Sequence, residues 1–204
     1  MSRRWWTSDL HLGHAGILAH TQRPYGDTET MNVDLIERWN ERVDPADEVY
    51  ILGDLAMGPV AEMLELVELF NGTKFLVPGN HDKCWEGLRR KQKNQVDRWR
   101  RSYEAAGLTV LDGELALQLG HVEVVVSHFP YEGDSQEVER FPALRPKDRG
   151  AWLLHGHVHE KWRQHGRMIN VGVDAWGGYP VAESDLVALI AAGPRELPRL
   201  PWRR

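Results

Sequence analysis

Short apolar runs, rich in β-branched and aromatic residues, recur along the chain between polar segments. Seven runs stand out: Arg4–Ser8 (RWWTS), Glu48–Gly53 (EVYILG), Lys74–Gly79 (KFLVPG), His121–Ser127 (HVEVVVS), Ala151–Gly156 (AWLLHG), Arg167–Val173 (RMINVGV) and Asp185–Ala191 (DLVALIA). Each has about the length of a buried strand, and several end at glycine or serine, as strands commonly do. The pattern therefore predicts a set of buried strands.

Two amphipathic segments lie between these runs. From Met31 to Val43, the apolar residues fall on one face of a helix. The same spacing recurs from Pro59 to Phe70, where Pro59 suits a first helical turn and Asn71-Gly72 suits the exit. A third helix is predicted within residues 82–106, where the charge is high and the apolar pattern is weak. Strands that alternate with helices indicate an α/β fold.

Polar clusters directly follow five of the runs. They are SDLH (Ser8–His11), GDLA (Gly53–Ala56), GNHD (Gly79–Asp82), SHFP (Ser127–Pro130) and HGHVH (His155–His159). In open α/β sheets, ligands bind at the carboxyl ends of the strands. We therefore expect these five clusters, which are distant in sequence, to meet at one site.

Composition limits the alternatives. The 204 residues suit a single domain, 1–204, with a core large enough to fold without disulfides. The single cysteine, Cys84, excludes an internal disulfide and a thiolate metal cluster, which fits a cytoplasmic location. No run approaches the ~18 apolar residues of a membrane span, so no membrane partner is expected. The net charge of −5 gives no case for a nucleic-acid binder. Seven of the ten histidines lie in or directly beside the polar clusters: six within the stated bounds, and His14 three residues after the first cluster.

The clustered side chains are oxygen and nitrogen donors of the kind that bind divalent transition metals. Seven of them are candidate ligands: Asp9, His11, Asp54, Asn80, His128, His157 and His159. These donors suit Mn, Fe, Zn, Ni or Co, and one ion takes about four to six of them. Seven ligands therefore favour two ions that share a carboxylate. Two ions about 3.5–4 Å apart can activate a water as nucleophile and hold the leaving oxygen of an in-line displacement.

The ordered motifs DLH, GD, GNHD, H and GHVH resemble the signature of the calcineurin-like metallophosphoesterases, from about Trp5 to about Pro180. The segments TSDLHLGHAGI, IERWNERV and NVGVDAW further resemble a subgroup of small bacterial and phage-encoded phosphodiesterases, some of which cleave 2',3'-cyclic nucleotides. The resemblance implies a four-layered α/β/β/α sandwich of two mixed sheets flanked by helices. Loops at one sheet edge would hold the metals.

The same resemblance implies a role for each candidate. Asp9, His11 and His159 bind the first metal, Asp54 bridges both, and Asn80, His128 and His157 bind the second. His81 binds no metal and is the catalytic residue, because it is placed to protonate the leaving oxygen or to bind a phosphoryl oxygen. Three glycines, Gly53, Gly79 and Gly156, are expected to permit the tight turns that aim these side chains.

One motif departs from the protein-phosphatase branch of the family. That branch continues the GD motif with an Asp that orients the catalytic histidine and an Arg that binds a doubly charged phosphate. This chain reads GDLAMG, with Met57 at the Asp position. We therefore expect Asp82 or His14 to orient His81, and a diester, which carries one negative charge, to be preferred over a phosphoprotein monoester.

Other positions carry weaker expectations. His14 is equally suited to supporting a metal ligand or contacting substrate and to a local loop hydrogen bond. His155 is expected to point away from the metals. Asp174 is expected to stabilise a turn, with a position near the site as the less favoured alternative. Residues 83–106 read as a basic helical insertion. Its Trp85 and Trp99 would suit nucleic-acid stacking, although a solvated charged helix is the better interpretation. Residues 193–204 form a Pro-rich basic tail, expected to be irregular surface chain.

These expectations combine into one function. The chain is predicted to be a phosphodiesterase with two divalent ions, Mn²⁺ in preference to Fe, Zn, Ni or Co, in which a hydroxide shared by the metals attacks phosphorus and His81 assists the leaving group. The expected partner is a small phosphodiester or nucleotide, including 2',3'-cyclic nucleotides. A nuclease or RNA-end phosphatase is the alternative in the same class. A metal-bound, non-catalytic interaction scaffold is the alternative in a different class.

Overall fold

The computed structural model is described for residues 2–202, and for residues 89–93 by the backbone alone. Eleven strands are present in this part of the chain: β1 (Arg4–Thr7), β2 (Glu48–Ile51), β3 (Thr73–Leu76), β4 (Leu108–Val110), β5 (Glu114–Leu119), β6 (Val122–Ser127), β7 (Trp152–His155), β8 (Gln164–Gly166), β9 (Met168–Asn170), β10 (Val181–Ala182) and β11 (Arg195–Leu197). The five α-helices are α1 (Ala15–His20), α2 (Thr28–Arg42), α3 (Val60–Glu65), α4 (Arg89–Ala105) and α5 (Glu183–Ala191).

The strands form two mixed sheets. The first sheet has the order β10-β1-β2-β3-β4, in which β1 to β4 are parallel and β10 is antiparallel to β1. The second has the order β11-β8-β9-β7-β6-β5, in which β6, β7 and β9 are parallel. The predicted class, two mixed sheets with flanking helices as in the metallophosphoesterase fold, is confirmed.

Apolar residues from the predicted runs fill two core clusters. One cluster joins the first sheet to helices α2, α3 and α4, with Trp39 and Leu35 of α2 almost fully buried. The second cluster lies between the sheets and includes Trp6 of β1, Val126 of β6 and Leu186 of α5. Because β1 is buried on both faces, it reads in sequence as a continuous apolar run and not as an alternating one.

The predicted helices form close to their expected positions. At the start of α2, the Asp27 carboxylate accepts a hydrogen bond from the Thr30 backbone N–H at 2.7 Å, which satisfies one unpaired donor of the first turn. Helix α3 begins just after Pro59 and continues as a 3₁₀ turn over Leu66–Leu69. The region predicted for the third helix contains α4, preceded by a 3₁₀ turn at Glu86–Leu88.

Two expectations were wrong. The run Asp185–Ala191, grouped with the strands for its apolar composition, lies in α5, because Leu186 and Ile190 are four residues apart and share a buried helical face. The tail is not irregular throughout: β11 pairs antiparallel with β8, and Leu200 forms a bridge with Trp176. The backbone N–H of Leu200 donates to Ala175 O at 2.9 Å, so the tail is fixed to the loop after β9.

The parallel strands bring the polar clusters to one edge. Strands β1, β2 and β3 end at adjacent register positions, Thr7, Ile51 and Leu76. The second sheet meets the same edge through a parallel bridge between Ser8 and Gly172. No helix in residues 2–202 combines the length and the apolar character that crossing a membrane requires.

Candidate metal centre

The loops after β1 and β2 are joined backbone to backbone. The N–H of Asp9 donates to Gly53 O at 3.0 Å, and the N–H of His11 donates to Asp54 O at 2.9 Å. The loop after β7 joins them, because the N–H of His157 donates to Asp9 Oδ2 at 3.0 Å. Three of the five predicted clusters are therefore fixed to one another by direct hydrogen bonds.

Most of the candidate ligands have an unusual backbone conformation. Seven non-glycine residues in the described chain have positive φ, and five of them are candidate ligands: Asp9, His11, Asp54, His157 and His159. This left-handed region is unfavourable for residues with a Cβ and persists only where the surrounding structure enforces it. Such strain concentrates at functional sites, so its distribution marks these loops as the site.

Two groups of acidic and histidine side chains converge closely enough to hold an ion. Asp9, His11 and His159 form one group, and Asp9, Asp54 and His128 form the other, with the donor atoms of each group within 4.8 Å of one another. The Asp54 Oδ2 atom lies 3.6 Å from His11 Nε2 and 3.6 Å from His128 Nε2. Asp54 is therefore central, while Asp9 belongs to both groups.

The hydrogen bonding of these residues fits bound cations. Within the described residues, both ring nitrogens of the buried His11 lack a hydrogen-bond partner. His128 Nδ1 lies 2.7 Å from Leu52 O and donates to it, so the Nε2 of the neutral ring carries a lone pair. The Oδ1 of Asn80, also an acceptor, lies 3.1 Å from this Nε2. Buried acceptors that face one another without a donor are costly, and a divalent cation relieves that cost.

Protonation preferences support the same interpretation. Burial, and then the nearby Asp9 and Asp82 carboxylates, raise the pKa of Asp54 well above its usual range. Burial lowers the pKa of His11 and of His128, which favours the neutral imidazoles that bind metals. A cation bound between these groups would favour the ionised form of Asp54 and would be compatible with the neutral imidazoles.

His157 is held by an acid that the sequence analysis did not identify. Its Nε2 donates to Asp134 Oδ2 at 2.9 Å, which leaves Nδ1 as the nitrogen free to bind a metal. Asp134 also accepts from Arg140 Nη2 at 2.7 Å and from Arg145 Nη2 at 3.0 Å. Asp134, Arg140 and Arg145 all belong to the connection between β6 and β7, residues 128–151.

His159 is supported by a second carboxylate, which corrects the expectation for Asp174. Asp174 Oδ2 lies 3.5 Å from His159 Nδ1, so this acid faces the site and does more than stabilise a turn. Its two oxygens accept from Arg23 Nε and Nη2 at 2.9 and 2.8 Å. Arg23 also donates to the carbonyls of Asp9 and Leu10 at 2.6 and 2.8 Å, and its side chain is fully buried.

Asp82, expected to orient His81, has a different role. Its Oδ2 accepts from the N–H groups of Asp54 and Gly79, both at 2.8 Å, and its Oδ1 accepts from Leu55 N–H at 3.1 Å. In the described chain, the hydrogen bonds of its carboxylate join the loops after β2 and β3 and the hydroxyl of Tyr103, and none joins it to His81. Asp82 therefore fixes the metal loops and does not orient the histidine.

His81 lies beside the ligands, partly open to solvent. Its backbone N–H donates to Asp54 Oδ1 at 2.9 Å, and its ring packs edge-on against His11 at 5.4 Å. Its side chain is 32% exposed, and burial lowers its pKa to about 4. His14 also contacts the His11 ring, at 5.4 Å, and has a buried Nδ1 without a hydrogen-bond partner, so it lies at the site, although no hydrogen bond joins it to His81 in the described residues.

All three predicted glycines are required where these loops touch, and a Cβ on Gly79 would lie 2.3 Å from Asp54 Oδ1. A Cβ on Gly156 would lie 2.0 Å from Ser8 Oγ and 2.5 Å from Asp9 Oδ2, so this position needs space and not a special φ. Gly53 has φ +89°, and a Cβ there would lie 2.6 Å from His128 Nδ1. Gly53 is therefore required for both its backbone conformation and its lack of a side chain.

The structure also bears on the expectations for His155 and for the basic segment. His155 is fully buried and donates from Nδ1 to Gly156 O at 2.7 Å, away from the ligand groups, as expected. In the basic segment, Trp99 packs against the core cluster of the first sheet, and Trp85 is buried against Phe129. Neither ring is displayed for stacking on a nucleic acid. The side chains of residues 89–93 lie outside the described part.

Comparison with known proteins identifies the family. Residues 6–179 match the model of the calcineurin-like phosphoesterase superfamily domain. The chain belongs to the calcineurin-like phosphoesterase superfamily. Proteins of this superfamily are phosphoester hydrolases that typically bind divalent metals, in agreement with the donor groups above. The metallophosphoesterase resemblance of the sequence is confirmed.

Relatives of this calcineurin-like phosphoesterase occur in phages. The Gene 66 protein of Mycobacterium phage D29 is 38% identical over 187 residues, which cover 86% of this chain and 90% of that protein. The Gene 66 protein of Mycobacterium phage L5 is 34% identical and covers 87% and 89%, respectively. Among solved structures, the protein of unknown function AQ665 from Aquifex aeolicus has a TM-score of 0.65 at 23% identity, covering 93% of this chain and all of AQ665, which supports the fold alone.

Four residues at this phosphoesterase site were missed from the sequence or assigned another role: Arg23, Asp134, Arg140 and Asp174. None of them lies within the five polar clusters at the strand ends. Asp174 alone had a usable signal, because it follows the NVGV run of the second sheet in the same way as the clusters follow theirs.

Proposed function

We propose that this calcineurin-like phosphoesterase is a two-metal phosphodiesterase that hydrolyses small phosphodiesters, including 2',3'-cyclic nucleotides. The observation that carries the proposal is the position of Asp54 Oδ2, 3.6 Å from a histidine nitrogen of each ligand group. A carboxylate at that position is suited to hold two cations at once. Mn²⁺ is the ion that we propose, and the buried, unpaired Cys84 is compatible with the cytoplasm as its location.

The residues divide between the two ions. Asp9, His11 and His159 would hold the first, Asn80, His128 and His157 the second, and Asp54 both. Divalent ions at these positions supply Lewis acidity and lower the pKa of water to near neutrality. His157 would bind through Nδ1, because Asp134 accepts from its Nε2.

His81 acts on the leaving group. Its backbone N–H donates to Asp54 Oδ1, and its side chain is a partly exposed imidazole at the site. As the bond between phosphorus and the leaving oxygen breaks, that oxygen gains a proton, and we assign its delivery to His81 Nε2. Because burial favours the neutral ring, His81 must first take up a proton, and the attacking water releases one. In the described part of the chain, Asp82 accepts no hydrogen bond from this ring, whose Nε2 lies 4.0 Å from Asp54 Oδ2.

The preference for diesters rests on the GDLAMG loop. Met57 takes the position of the aspartate found in protein phosphatases, and Gly58 takes that of the arginine. A phosphate monoester carries up to two charges at neutral pH and needs more cationic contacts than a diester, which carries one. The loop supplies none, which favours the diester.

A substrate panel tests the proposal. Protein stripped with EDTA and reloaded with Mn²⁺ is assayed with bis(4-nitrophenyl) phosphate, 4-nitrophenyl phosphate, 2',3'-cyclic AMP and a short single-stranded RNA. We expect both small diesters to react faster than the monoester at equal concentration. A faster monoester would contradict the diester assignment, fastest cleavage of RNA would indicate a nuclease, and no turnover of any substrate would indicate a scaffold.

A further inference from the structure

Arg140 is joined to the metal centre through a single carboxylate. Its Nε and Nη2 donate to Asp134 Oδ1 at 3.0 and 2.7 Å, and Nη2 also donates to Ser135 Oγ at 2.9 Å. The other oxygen of Asp134 accepts from Nε2 of His157, a proposed metal ligand. The guanidinium is therefore fixed at one edge of the proposed second metal site.

Arg145, a neighbouring arginine, has a purely structural role and serves for comparison. Arg145 also pairs with Asp134, but its side chain is only 4% exposed. Its Nε donates to Arg140 O at 3.1 Å and its Nη1 to Gly133 O at 2.7 Å, so all three of its nitrogens are used within the loop. Arg140 is 29% exposed, and its Nη1 makes no hydrogen bond within the described residues.

The backbone next to Arg140 is strained in the same way as the metal loops. Outside the candidate ligands, Gln22 and Phe141 are the non-glycine residues with positive φ in the described chain. Each is adjacent to an arginine that binds a carboxylate at the site, Arg23 and Arg140, respectively. The Phe141 ring packs at 5.4 Å from both Trp85 and Phe129, which holds the strained turn in place.

The guanidinium lies on the side of the site that would hold the second metal. The ring of Phe141, the next residue, lies 6.3 Å from the ring of His157, and the same His157 donates to the carboxylate that holds Arg140. Arg140 is therefore positioned beside a proposed ligand of the second metal, with part of its guanidinium open to solvent.

We propose that Arg140 Nη1 donates to a non-bridging oxygen of the substrate phosphoryl group, and so replaces from another loop the arginine absent after Asp54. This inference rests on the proposed phosphoesterase function. Asp134, Arg140 and Arg145 together carry one net positive charge, which matches the single negative charge of a phosphodiester. The contact thus agrees with the diester preference.

Binding of inorganic phosphate tests the contact without turnover. The Mn²⁺-loaded protein is titrated with phosphate by calorimetry, and the same protein is assayed for inhibition by phosphate. Arg140→Gln should weaken phosphate binding about 10- to 100-fold, the range expected for loss of a charge-assisted hydrogen bond. Arg140→Lys, which keeps the charge, should fall between wild type and Arg140→Gln. Arg149→Gln, an exposed arginine on the same loop, should bind phosphate as wild type does.

Metal analysis and thermal melting accompany each titration. A normal metal content with weakened phosphate binding supports the inference. Phosphate affinity of Arg140→Gln within about twofold of wild type, or an Arg140→Lys variant no better than Arg140→Gln, overturns it. Loss of metal together with phosphate binding also overturns it, because Arg140 would then act through Asp134. If wild type itself neither binds phosphate nor hydrolyses any ester, the proposed function fails, which is a different outcome.

Discussion

The two histidines of the GHVH motif are supported by the same kinds of side chain in different surroundings. Behind His159, the Asp174–Arg23 pair is fully buried, and Arg23 also donates to the carbonyls of Asp9 and Leu10 and to Met31 Sδ. Behind His157, Asp134 pairs with two arginines on a long loop, and Arg140 keeps part of its guanidinium open to solvent.

The difference shows how one site combines rigidity with access. The Asp174 side is built as core: Trp202 of the tail packs over Arg23 at 5.8 Å, and the loop after β9 is held by β1. The Asp134 side is built on a connection between strands, where a charged side chain can reach a ligand without breaking the core. We therefore expect damage on the Asp174 side to reduce stability first and damage on the Asp134 side to reduce function first.

The largest effect is expected at Asp54, the residue proposed to hold both metals. Asp54→Ala removes the proposed bridging carboxylate and leaves two cations facing each other, so activity should fall below detection. Metal analysis of Mn²⁺-reconstituted protein should give about two ions per chain for wild type and fewer than one for the variant. A variant with normal metal content and rate would contradict the bridging role, and wild type saturating at one ion with full activity would contradict two metals.

His81→Ala is expected to lower kcat by about 10²–10⁴-fold, the range for a positioned proton donor. Metal content should stay near wild type, because Asn80 and not His81 is the proposed ligand. The loss should be greater for a 2',3'-cyclic nucleotide, whose leaving ribose oxygen needs a proton, than for a nitrophenyl diester. Equal losses for both leaving groups would instead indicate an electrostatic role.

The stability of the two sides can be compared directly. Asp174→Ala leaves the buried guanidinium of Arg23 unpaired, and we expect it to lower the free energy of unfolding by about 3–5 kcal/mol. Asp134→Ala should cost less, about 1–2 kcal/mol, because water can reach Arg140 and the buried Arg145 keeps its hydrogen bonds to Arg140 O and Gly133 O. Urea unfolding of the two variants without added metal measures the difference. Equal costs would show that the two sides are equally part of the core.

The smallest effect concerns the orientation of His157. Asp134→Ala removes the acceptor for its Nε2–H and should weaken binding of one ion about 10- to 100-fold. Asp134→Asn keeps an acceptor oxygen and should recover most of that affinity, as measured by competition with a metal-binding dye. If the Asn variant is as weak as the Ala variant, the charge of Asp134 matters more than its hydrogen bond to His157.

Local patterns predicted much of the fold and the inner ring of the site. The runs before Asp9, Asp54 and Asn80 are strands because their apolar residues are continuous and short, and parallel strands necessarily end at a common edge. The apolar composition of Asp185–Ala191 led to the wrong prediction of a strand. The spacing of Leu186 and Ile190 suits a helix as well as a strand, and packing against β10 and β5 favours the helix.

The sequence by itself determined the family and the set of donor side chains, because both depend on residue types at fixed positions after strands. Only the tertiary structure decided which residues support them. Arg23 and Asp174 are 151 positions apart, and their pairing depends on the loop after β9 meeting the loop after β1. Likewise, nothing near Asp134 in sequence identifies His157 as its partner. Contacts between separate loops depend on how the two sheets stack, and local sequence patterns do not determine that stacking.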